Sequence, residues 1–277
     1  MGDPTKALVI DCHAQVGEGE SWAEPKRPVN YKVELVLERA AEAGIDRSCV
    51  SAPQNPSYEQ ANRQVARLCE KYPDRLIGFA VHNPQRETGR VKATLTEEVK
   101  SMGFKGLKSD GHPTREILDV IAELGIPVIY CPAPRLNLVA MFHWMTEAYP
   151  SVNFILPHLG AYRSSPSHDH ITAIDLAKRH PNLYLEASGM NVHFCLEMAA
   201  RDLPAEQIVF GSNAPECDPR VEIYAIKLLG SESHSGVVRA GNPIGHGFVE
   251  FGAPPKLSPD QEAKILGGNI QRLLGHS

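Results

Sequence analysis

The stretch Leu8-Val9-Ile10-Asp11-Cys12-His13-Ala14-Gln15 forms the first strand that the sequence predicts, an apolar run that ends in polar residues on alternating positions. Side chains of a strand alternate between its two faces, so Asp11, His13 and Gln15 are expected to point the same way. If the strand belongs to a barrel, that face is the lumen. The pattern recurs along the chain, where other apolar runs also end in polar or charged residues.

Composition narrows the class of protein. The chain has 277 residues, 42% of them hydrophobic, and a formal net charge of -5. No linker rich in Pro, Gly or Ser interrupts the middle, so one domain over residues 1–277 is predicted. A net negative charge does not indicate a basic surface that would bind nucleic acid or an anionic membrane. A small-molecule substrate is therefore the expected partner. The lack of a signal region or membrane span predicts a cytoplasmic protein, and six scattered cysteines indicate reduced thiols.

Short β-branched runs alternate with helical patterns from residue 7 to residue 229. Eight strands are predicted, at 7–14, 48–52, 76–81, 104–108, 127–131, 152–156, 183–187 and 208–211. A helix is predicted after each strand, at 31–44, 57–72, 90–103, 114–124, 138–149, 167–180, 192–201 and 219–229. Eight such units over roughly 220 residues match an α/β fold, the (β/α)8 TIM barrel.

Three segments fall outside these units. Residues 17–30 are predicted to form a polar loop, and residues 231–256, rich in Gly and Pro, a lid over the strand ends or an interface loop. Ser258-Pro259-Asp260-Gln261 predicts the start of a C-terminal helix that ends near Leu274. An open doubly wound sheet is the alternative fold, but residues 12–17 contain no GxGxxG fingerprint.

Active sites of barrel enzymes lie at the C-terminal ends of the strands. In this sequence those ends are polar, and the repetition favours a functional role over an incidental one. The candidate site residues are His13, Gln15, Lys108, Asp110, Tyr130, Cys131, His158, Glu186 and Asn213, with Arg163 from the loop after the sixth strand.

Several segments in order along the chain carry a family resemblance. The sequence resembles the metal-dependent amidohydrolase superfamily, in the branch that includes aminocarboxymuconate-semialdehyde decarboxylase and the dicarboxylate lactonases. The resemblance implies a TIM barrel and suggests a homodimer. The matching segments are 10–15, Gly103-Phe104-Lys105-Gly106-Leu107-Lys108, Phe154-Ile155-Leu156-Pro157-His158-Leu159-Gly160, 182–189, Ile208-Val209-Phe210-Gly211-Ser212-Asn213-Ala214-Pro215 and 263–269.

The resemblance also implies a divalent metal such as zinc. Its ligands would be a histidine pair after the first strand, histidines after the fifth and sixth, and an aspartate after the eighth. This sequence keeps His13 and His158 but has Gln15, Cys131 and Asn213 at the other positions. Neutral amide oxygens suit zinc poorly, although His13, Cys131 and His158 would form a three-ligand site if the thiol ionises. The sequence therefore predicts a metal that is weakly held or absent.

Asparagine in place of the strand-eight aspartate removes the group that would accept the proton of an attacking water, because an amide is not a base. Among the other groups at the rim, His13, Asp110, Glu186 and His158, the neutral imidazole of His158 is the favoured general base.

Binding roles are assigned to the remaining polar groups. Lys108 and Arg163 would bind a substrate carboxylate, and Asn213 would donate a hydrogen bond to a developing oxyanion. The residues assigned to substrate binding are Gln15, Tyr130, Arg163 and Glu186.

Three functions remain open. The favoured one is a hydrolase that acts on a lactone or amide bond of a small carboxylated compound, with weak or no metal dependence. The first alternative is a decarboxylase on the same scaffold, which tolerates loss of the water-activating aspartate. The second alternative is an inactive barrel with a binding role. A bound ion or an ordered anion at the strand ends would separate the two enzymes from the inactive barrel.

Overall fold

The computed structural model describes residues 7–22, 24, 26–130, 138–160, 168–189, 193–229 and 256–275. Cys131, Arg163 and residues 231–255 of the predicted lid lie outside the described residues, so the roles given to them stay predictions.

Eight parallel strands form one sheet that curves into a barrel. The strands of the described residues are β1 (Ile10–Gln15), β2 (Gly17–Glu20), β3 (Pro28–Tyr31), β4 (Arg47–Ser51), β5 (Leu76–His82), β6 (Gly106–Ser109), β7 (Val128–Tyr130), β8 (Phe154–Leu156), β9 (Leu183–Glu186) and β10 (Ile208–Val209). Their order in the sheet is β1-β4-β5-β6-β7-β8-β9-β10. Backbone hydrogen bonds from Cys12 to Phe210 (3.0 Å) and from Gln15 to Ala214 (2.8 Å) join its two edges. The predicted (β/α)8 barrel is confirmed.

A helix follows each barrel strand, close to its predicted bounds. The helices are α1 (Val33–Glu42), α2 (Tyr58–Lys71), α3 (Val91–Ser101), α4 (Arg115–Leu124), α5 (Leu138–Ala148), α6 (His168–Arg179), α7 (His193–Asp202) and α8 (Pro219–Leu228). The sequence accounts for their ends: α4 stops at Gly125, whose φ of 64° suits glycine, and α8 begins with Pro219 behind the capping carboxylate of Asp218. In the part of the chain that the structure describes, no helix is long and apolar enough to cross a membrane.

Two apolar cores lie on the two faces of the barrel wall. The outer core packs the strands against the helices, and the inner core fills the barrel. Gly106 of β6 faces inward, because a Cβ there would lie 2.3 Å from the Phe79 ring. Lys108, two residues further along β6, therefore also faces the interior. The inner core contains Ile10, Cys12, Cys49, Ile77, Phe79, Ile129, Ile155, Tyr184, Val209, Ile270 and Leu273.

The strict alternation predicted for β1 is wrong. Cys12 belongs to the inner core but Ala14 to the outer core, because the register between β1 and β4 shifts between Asp11 and Ala14. Such a bulge changes which face the following side chains occupy. Asp11 and His13 therefore do not share a face in the way that a regular strand would require.

Residues 17–30 are not the polar loop that the sequence predicted. β2 and β3 form an antiparallel hairpin, with Gly17 paired to Tyr31 and Glu20 to Pro28. The hairpin is also tied to the loop after β4 by two backbone hydrogen bonds between Glu20 and Gln54, of 2.7 and 3.0 Å. It is thus a fixed part of the wall at the C-terminal end of the barrel.

The predicted C-terminal helix is present but not regular. α9 (Pro259–Ala263) begins at a capping box formed by Ser258 and Gln261, as the sequence indicated, and α10 (Asn269–Leu273) ends the described chain. Between them, Lys264–Gly268 form a π-helical turn. Gly267 touches the first strand segment so closely that a Cβ would lie 1.9 Å from the Leu8 carbonyl oxygen. This contact fixes the segment below the barrel, where α10 contributes Ile270 and Leu273 to the inner core.

A charged cluster is buried outside the barrel at the end of β5. The Nε2 atom of His82 lies 2.6 Å from Glu98, and its Nδ1 atom contacts Glu87. Asn62 donates to the second oxygen of Glu98 at 2.7 Å. Burial favours the neutral imidazole, but the hydrogen bonds to the two carboxylates outweigh it and raise the pKa of His82 to about 9.

We expect this cluster to make stability depend on pH in the alkaline range. The pKa of His82 is about 9 in the folded protein against 6.5 ordinarily, so its contribution is complete below pH 6.5 and is lost as the pH rises through 9. The difference between these two pKa values corresponds to a contribution of roughly 3 kcal/mol at most to the free energy of unfolding. Urea unfolding from about pH 6 to pH 10 should show the fall in the free energy of unfolding.

Glu98→Gln should reduce this alkaline loss, because it removes one of the carboxylates that stabilise the imidazolium. Glu97→Gln is the matched control, since Glu97 is the exposed neighbour on the same helix. Equal slopes in both variants would contradict the role given to the cluster.

Candidate active site

His13, Lys108 and His158 lie together at the C-terminal end of the barrel, as the sequence predicted. The Nζ atom of Lys108 is 2.9 Å from Nε2 of His13, and the ring centroids of His13 and His158 are 5.5 Å apart. The three residues are buried, with exposed fractions between 3% and 6%. Burying a lysine beside two imidazoles carries a high desolvation cost, which makes this group the candidate functional site.

The Lys108 contact determines which nitrogen of His13 carries a proton. An ammonium group only donates hydrogen bonds, so Nε2 of His13 is the acceptor and the proton of the neutral ring is on Nδ1. That nitrogen lies 3.5 Å from Glu186 Oε2. Burial and the charge of Lys108 hold the pKa of His13 well below its usual value, which agrees with a neutral ring.

Glu186 is fully buried at the end of β9 and joins the two histidines. Its Oε2 atom accepts a hydrogen bond of 3.0 Å from the backbone N–H of His158. Its carboxylate lies against Gly211, where a Cβ would be 2.3 Å from Oε1. Burial raises the pKa of Glu186, while His158 and Lys108 oppose that rise. Glu186 is therefore part of the wall of the site and not a solvated rim group.

His158 is held by its neighbours in a specific orientation. Its Nδ1 atom lies 3.1 Å from both the carbonyl and the hydroxyl oxygen of Ser188. Its backbone is in the left-handed region, with φ of 58°. Burial lowers the pKa of His158 to about 3. An imidazole with so low a pKa stays neutral but is a weak base near pH 7, which counts against the predicted general-base role.

Gln15 and Asn213 form an amide pair beside the histidines. Gln15 Nε2 donates to Asn213 Oδ1 at 3.4 Å, and Asn213 has a left-handed φ of 50°. Gln15 Oε1 is buried and accepts no hydrogen bond from the described residues.

Asp11 joins the first and last strands just behind these groups. Its carboxylate accepts hydrogen bonds from the backbone of His13 (2.9 Å), from the backbone of Ser212 (2.8 Å) and from the Ser212 hydroxyl (2.5 Å). Burial, partly opposed by these bonds, raises the pKa of Asp11 to about 6. Asp11 thus positions His13 and Asn213 without itself facing the site.

Trp22, at the tip of the β2–β3 hairpin, is a site residue that sequence reasoning missed. Its ring centroid lies 4.5 Å from Lys108 Nζ, a cation–π contact. Glu216 anchors the hairpin by accepting hydrogen bonds from Ser21 (2.7 Å) and Tyr31 (2.6 Å). A lone tryptophan in a polar segment after the first strand was a signal that could have identified it.

Two further predicted site residues have partners on neighbouring elements. The Oδ2 atom of Asp110 accepts hydrogen bonds from Tyr58 at 2.7 Å and Asn83 at 3.2 Å, which hold the carboxylate against α2. Tyr130 lies in the outer core, 1% exposed, with its ring stacked on Phe142 at 5.8 Å. Strand-end position was misleading for Tyr130, because it does not tell which face of the wall a side chain occupies; the catalytic role of Asp110 stays a prediction.

Among the described residues, the donors at this end of the barrel are a poor fit for a divalent metal, and Cys131, the third predicted ligand, lies outside the described residues. Within the described ranges, no group of three or more His, Cys, Asp or Glu side chains could hold one. The Nε2 lone pair of His13 is directed at an ammonium group, and neutral amides stand at two of the expected ligand positions. Neutral amide oxygens suit zinc poorly.

The sequence profile of the amidohydrolase family matches residues 10–276. The chain belongs to the amidohydrolase family. The resemblance seen in the sequence is therefore confirmed, and it covers nearly the whole chain. No curated protein sequence matches this amidohydrolase at a significant level.

Solved structures with this fold include several decarboxylases. A 2,6-dihydroxybenzoate decarboxylase in complex with 2,6-dihydroxybenzoate has a TM-score of 0.67 at 15% identity, over 98% of this chain and 100% of that one. A dihydroxybenzoic acid decarboxylase from Polaromonas sp. JS666, with bound manganese and 2-nitroresorcinol, has a TM-score of 0.66 at 16% identity, over 98% and 97%. The 5-carboxyvanillate decarboxylase of Sphingomonas paucimobilis has a TM-score of 0.67 at 13% identity, over 98% and 100%. At these identities the similarity establishes the amidohydrolase barrel.

We expect Asp11→Ala to destabilise the barrel, because three buried donors lose their acceptor. The free energy of unfolding, measured with urea, should fall by about 2–4 kcal/mol. Asp11→Asn keeps an oxygen for the two backbone donors and should cost less. Asp46→Ala is the matched control, since among the described residues the Asp46 carboxylate accepts one hydrogen bond, from the Val9 N–H at 2.8 Å. A smaller loss for Asp11→Ala than for Asp46→Ala would contradict this role.

Proposed function

We propose that this protein is a decarboxylase of small aromatic carboxylates that uses Lys108 in place of a metal ion. The observation that carries the proposal is the Lys108 ammonium group, buried at the centre of the strand ends, 2.9 Å from His13 and 4.5 Å from the Trp22 ring. It supplies a positive charge and a proton where a carboxylated substrate would lie.

The residues of this site do not favour hydrolysis, which is the function that the sequence favoured. It requires a base for the attacking water, and Asn213 stands where the carboxylate of the family is expected. His158, the predicted substitute, has a pKa of about 3 and directs Nδ1 at Ser188. Decarboxylation consumes no water and needs no such base, so the same substitutions harm it less.

Lys108 can perform the steps of decarboxylation on an aromatic acid. Its ammonium group first attracts the carboxylate into the buried site. A proton from Lys108 then adds to the ring carbon that bears the carboxylate. The bond between that carbon and the carboxylate breaks, its electron pair restores the aromatic ring, and CO2 leaves. The neutral amine regains its proton from water, so the enzyme returns to its initial state.

Two groups favour a flat, hydroxylated ring as substrate. Trp22 offers an aromatic face from the fixed hairpin, and aromatic pairs gain stability beyond the area that they bury. The free Oε1 atom of Gln15, buried without a donor among the described residues, would accept a hydrogen bond from a ring hydroxyl. The decarboxylases that share this fold act on such compounds, 2,6-dihydroxybenzoate and 5-carboxyvanillate.

The direct test is to incubate the purified protein with 2,6-dihydroxybenzoate and with 5-carboxyvanillate and to measure CO2 release. In D2O the product should carry one deuterium at the carbon that lost the carboxylate. Lys108→Met should lower turnover by roughly 10²–10⁴-fold, the usual value of general acid catalysis. Lys105→Met is the matched control, because Lys105 is exposed near the start of the same strand. Hydrolysis of lactones without any CO2 release from aromatic acids would refute the proposal.

Trp22 gives a second test that needs no turnover. The chain has two tryptophans, so in a Trp144→Phe background the fluorescence of Trp22 alone reports binding of 2,6-dihydroxybenzoate. By calorimetry, Trp22→Leu should weaken binding of this ligand roughly three- to tenfold. Cyclohexanecarboxylate, of the same charge but without an aromatic ring, should bind weakly to both proteins. Equal losses for the two ligands would show that Trp22 does not select aromatic rings.

A further inference from the structure

The Lys108 ammonium group lies where a family metal would bind His13. A metal bound to a histidine lies about 2.0–2.1 Å from the ligating nitrogen, along its single lone pair. In this structure the lone pair of His13 Nε2 is directed at Lys108 Nζ, 2.9 Å away. The other nitrogen, Nδ1, carries the proton and lies on the side of Glu186. A metal ion and this ammonium group would therefore need the same space.

We infer that Lys108 is the resident cation of this site and excludes divalent metal from it. The inference goes beyond the proposed reaction, since it concerns the charge that the folded site carries, whatever chemistry follows. Lys108 is 6% exposed and packs against the Trp22 ring, which leaves its ammonium group little room to withdraw.

The changes at the other ligand positions agree with a cation of lower charge. A divalent ion needs anionic or strongly basic donors around it, whereas an ammonium group needs fewer. Gln15 and Asn213 are neutral and are bonded to each other at 3.4 Å. Glu186 remains as the carboxylate near His13, and the charge of Lys108 favours its ionised form. The ammonium group of Lys108 and the two neutral amides thus agree with each other in charge.

The inference predicts that restoring family ligands is not enough to bring metal into the site. We compare four proteins: the wild type, Lys108→Met, the double variant Gln15→His/Asn213→Asp, and the triple variant that combines all three changes. Each is titrated with MnCl2 and with ZnCl2 by calorimetry, and its metal content is measured after dialysis. Circular dichroism and thermal unfolding confirm that each variant is folded.

The wild type and the double variant should hold less than one equivalent of metal after dialysis. The triple variant should bind Mn²⁺ at least about tenfold more tightly than the double variant, because a nearby ammonium group repels a divalent ion. Lys105→Met added to the double variant is the matched control and should leave its affinity unchanged.

Two results would overturn the inference. One is stoichiometric, tightly held metal in the wild type, and the other is equal affinity in the double and triple variants. If the triple variant does not fold, the wild type and the double variant still decide the matter, since tight metal binding by either contradicts the inference. All these readouts are independent of turnover, so failure of the decarboxylase proposal would leave the result intact.

Discussion

The site depends on the contact that closes the barrel, the hydrogen bonds of Asp11 to Ser212 and to the backbone of His13. The bonds to Ser212 join the start and the end of the sheet, some 200 residues apart in sequence, and the bond to His13 is local. Since His13 and Gln15 follow Asp11, and Asn213 follows Ser212, the closure brings the groups of both strands into one place. The left-handed backbone of Asn213 is tolerated because the surrounding bonds determine its conformation.

Burial then determines the protonation of the side chains at this end of the barrel. Because both side chains are buried, the charged form of an imidazole is costly here, and both His13 and His158 are held neutral. Lys108 remains as a cation within this group, with the buried carboxylate of Glu186 on the other side of the His13 ring. The proposed decarboxylation rests on this arrangement, a cation beside two neutral imidazoles.

The hairpin of β2 and β3 places an aromatic side chain against Lys108. Backbone pairing with Gln54 and two hydrogen bonds to Glu216 hold it on both sides, so Trp22 is positioned by a rigid element. Glu216 lies three residues after Asn213 in the same loop. The loop that carries Asn213 therefore also holds the hairpin of Trp22. This keeps the Trp22 indole in place beside the Lys108 ammonium group.

The sequence by itself determined the barrel, because eight strand patterns alternate with helical ones and periodicity reports local structure well. It also located His13, Lys108, His158 and Glu186, since polar residues that follow buried strands meet at one end of such a fold. The tertiary structure alone decided the bulge in β1, the hairpin of Trp22 and the outward placement of Tyr130, because each depends on pairing with segments distant in sequence. It also decided the protonation of the two histidines, because burial and the nearby ammonium group exist only once the chain has folded.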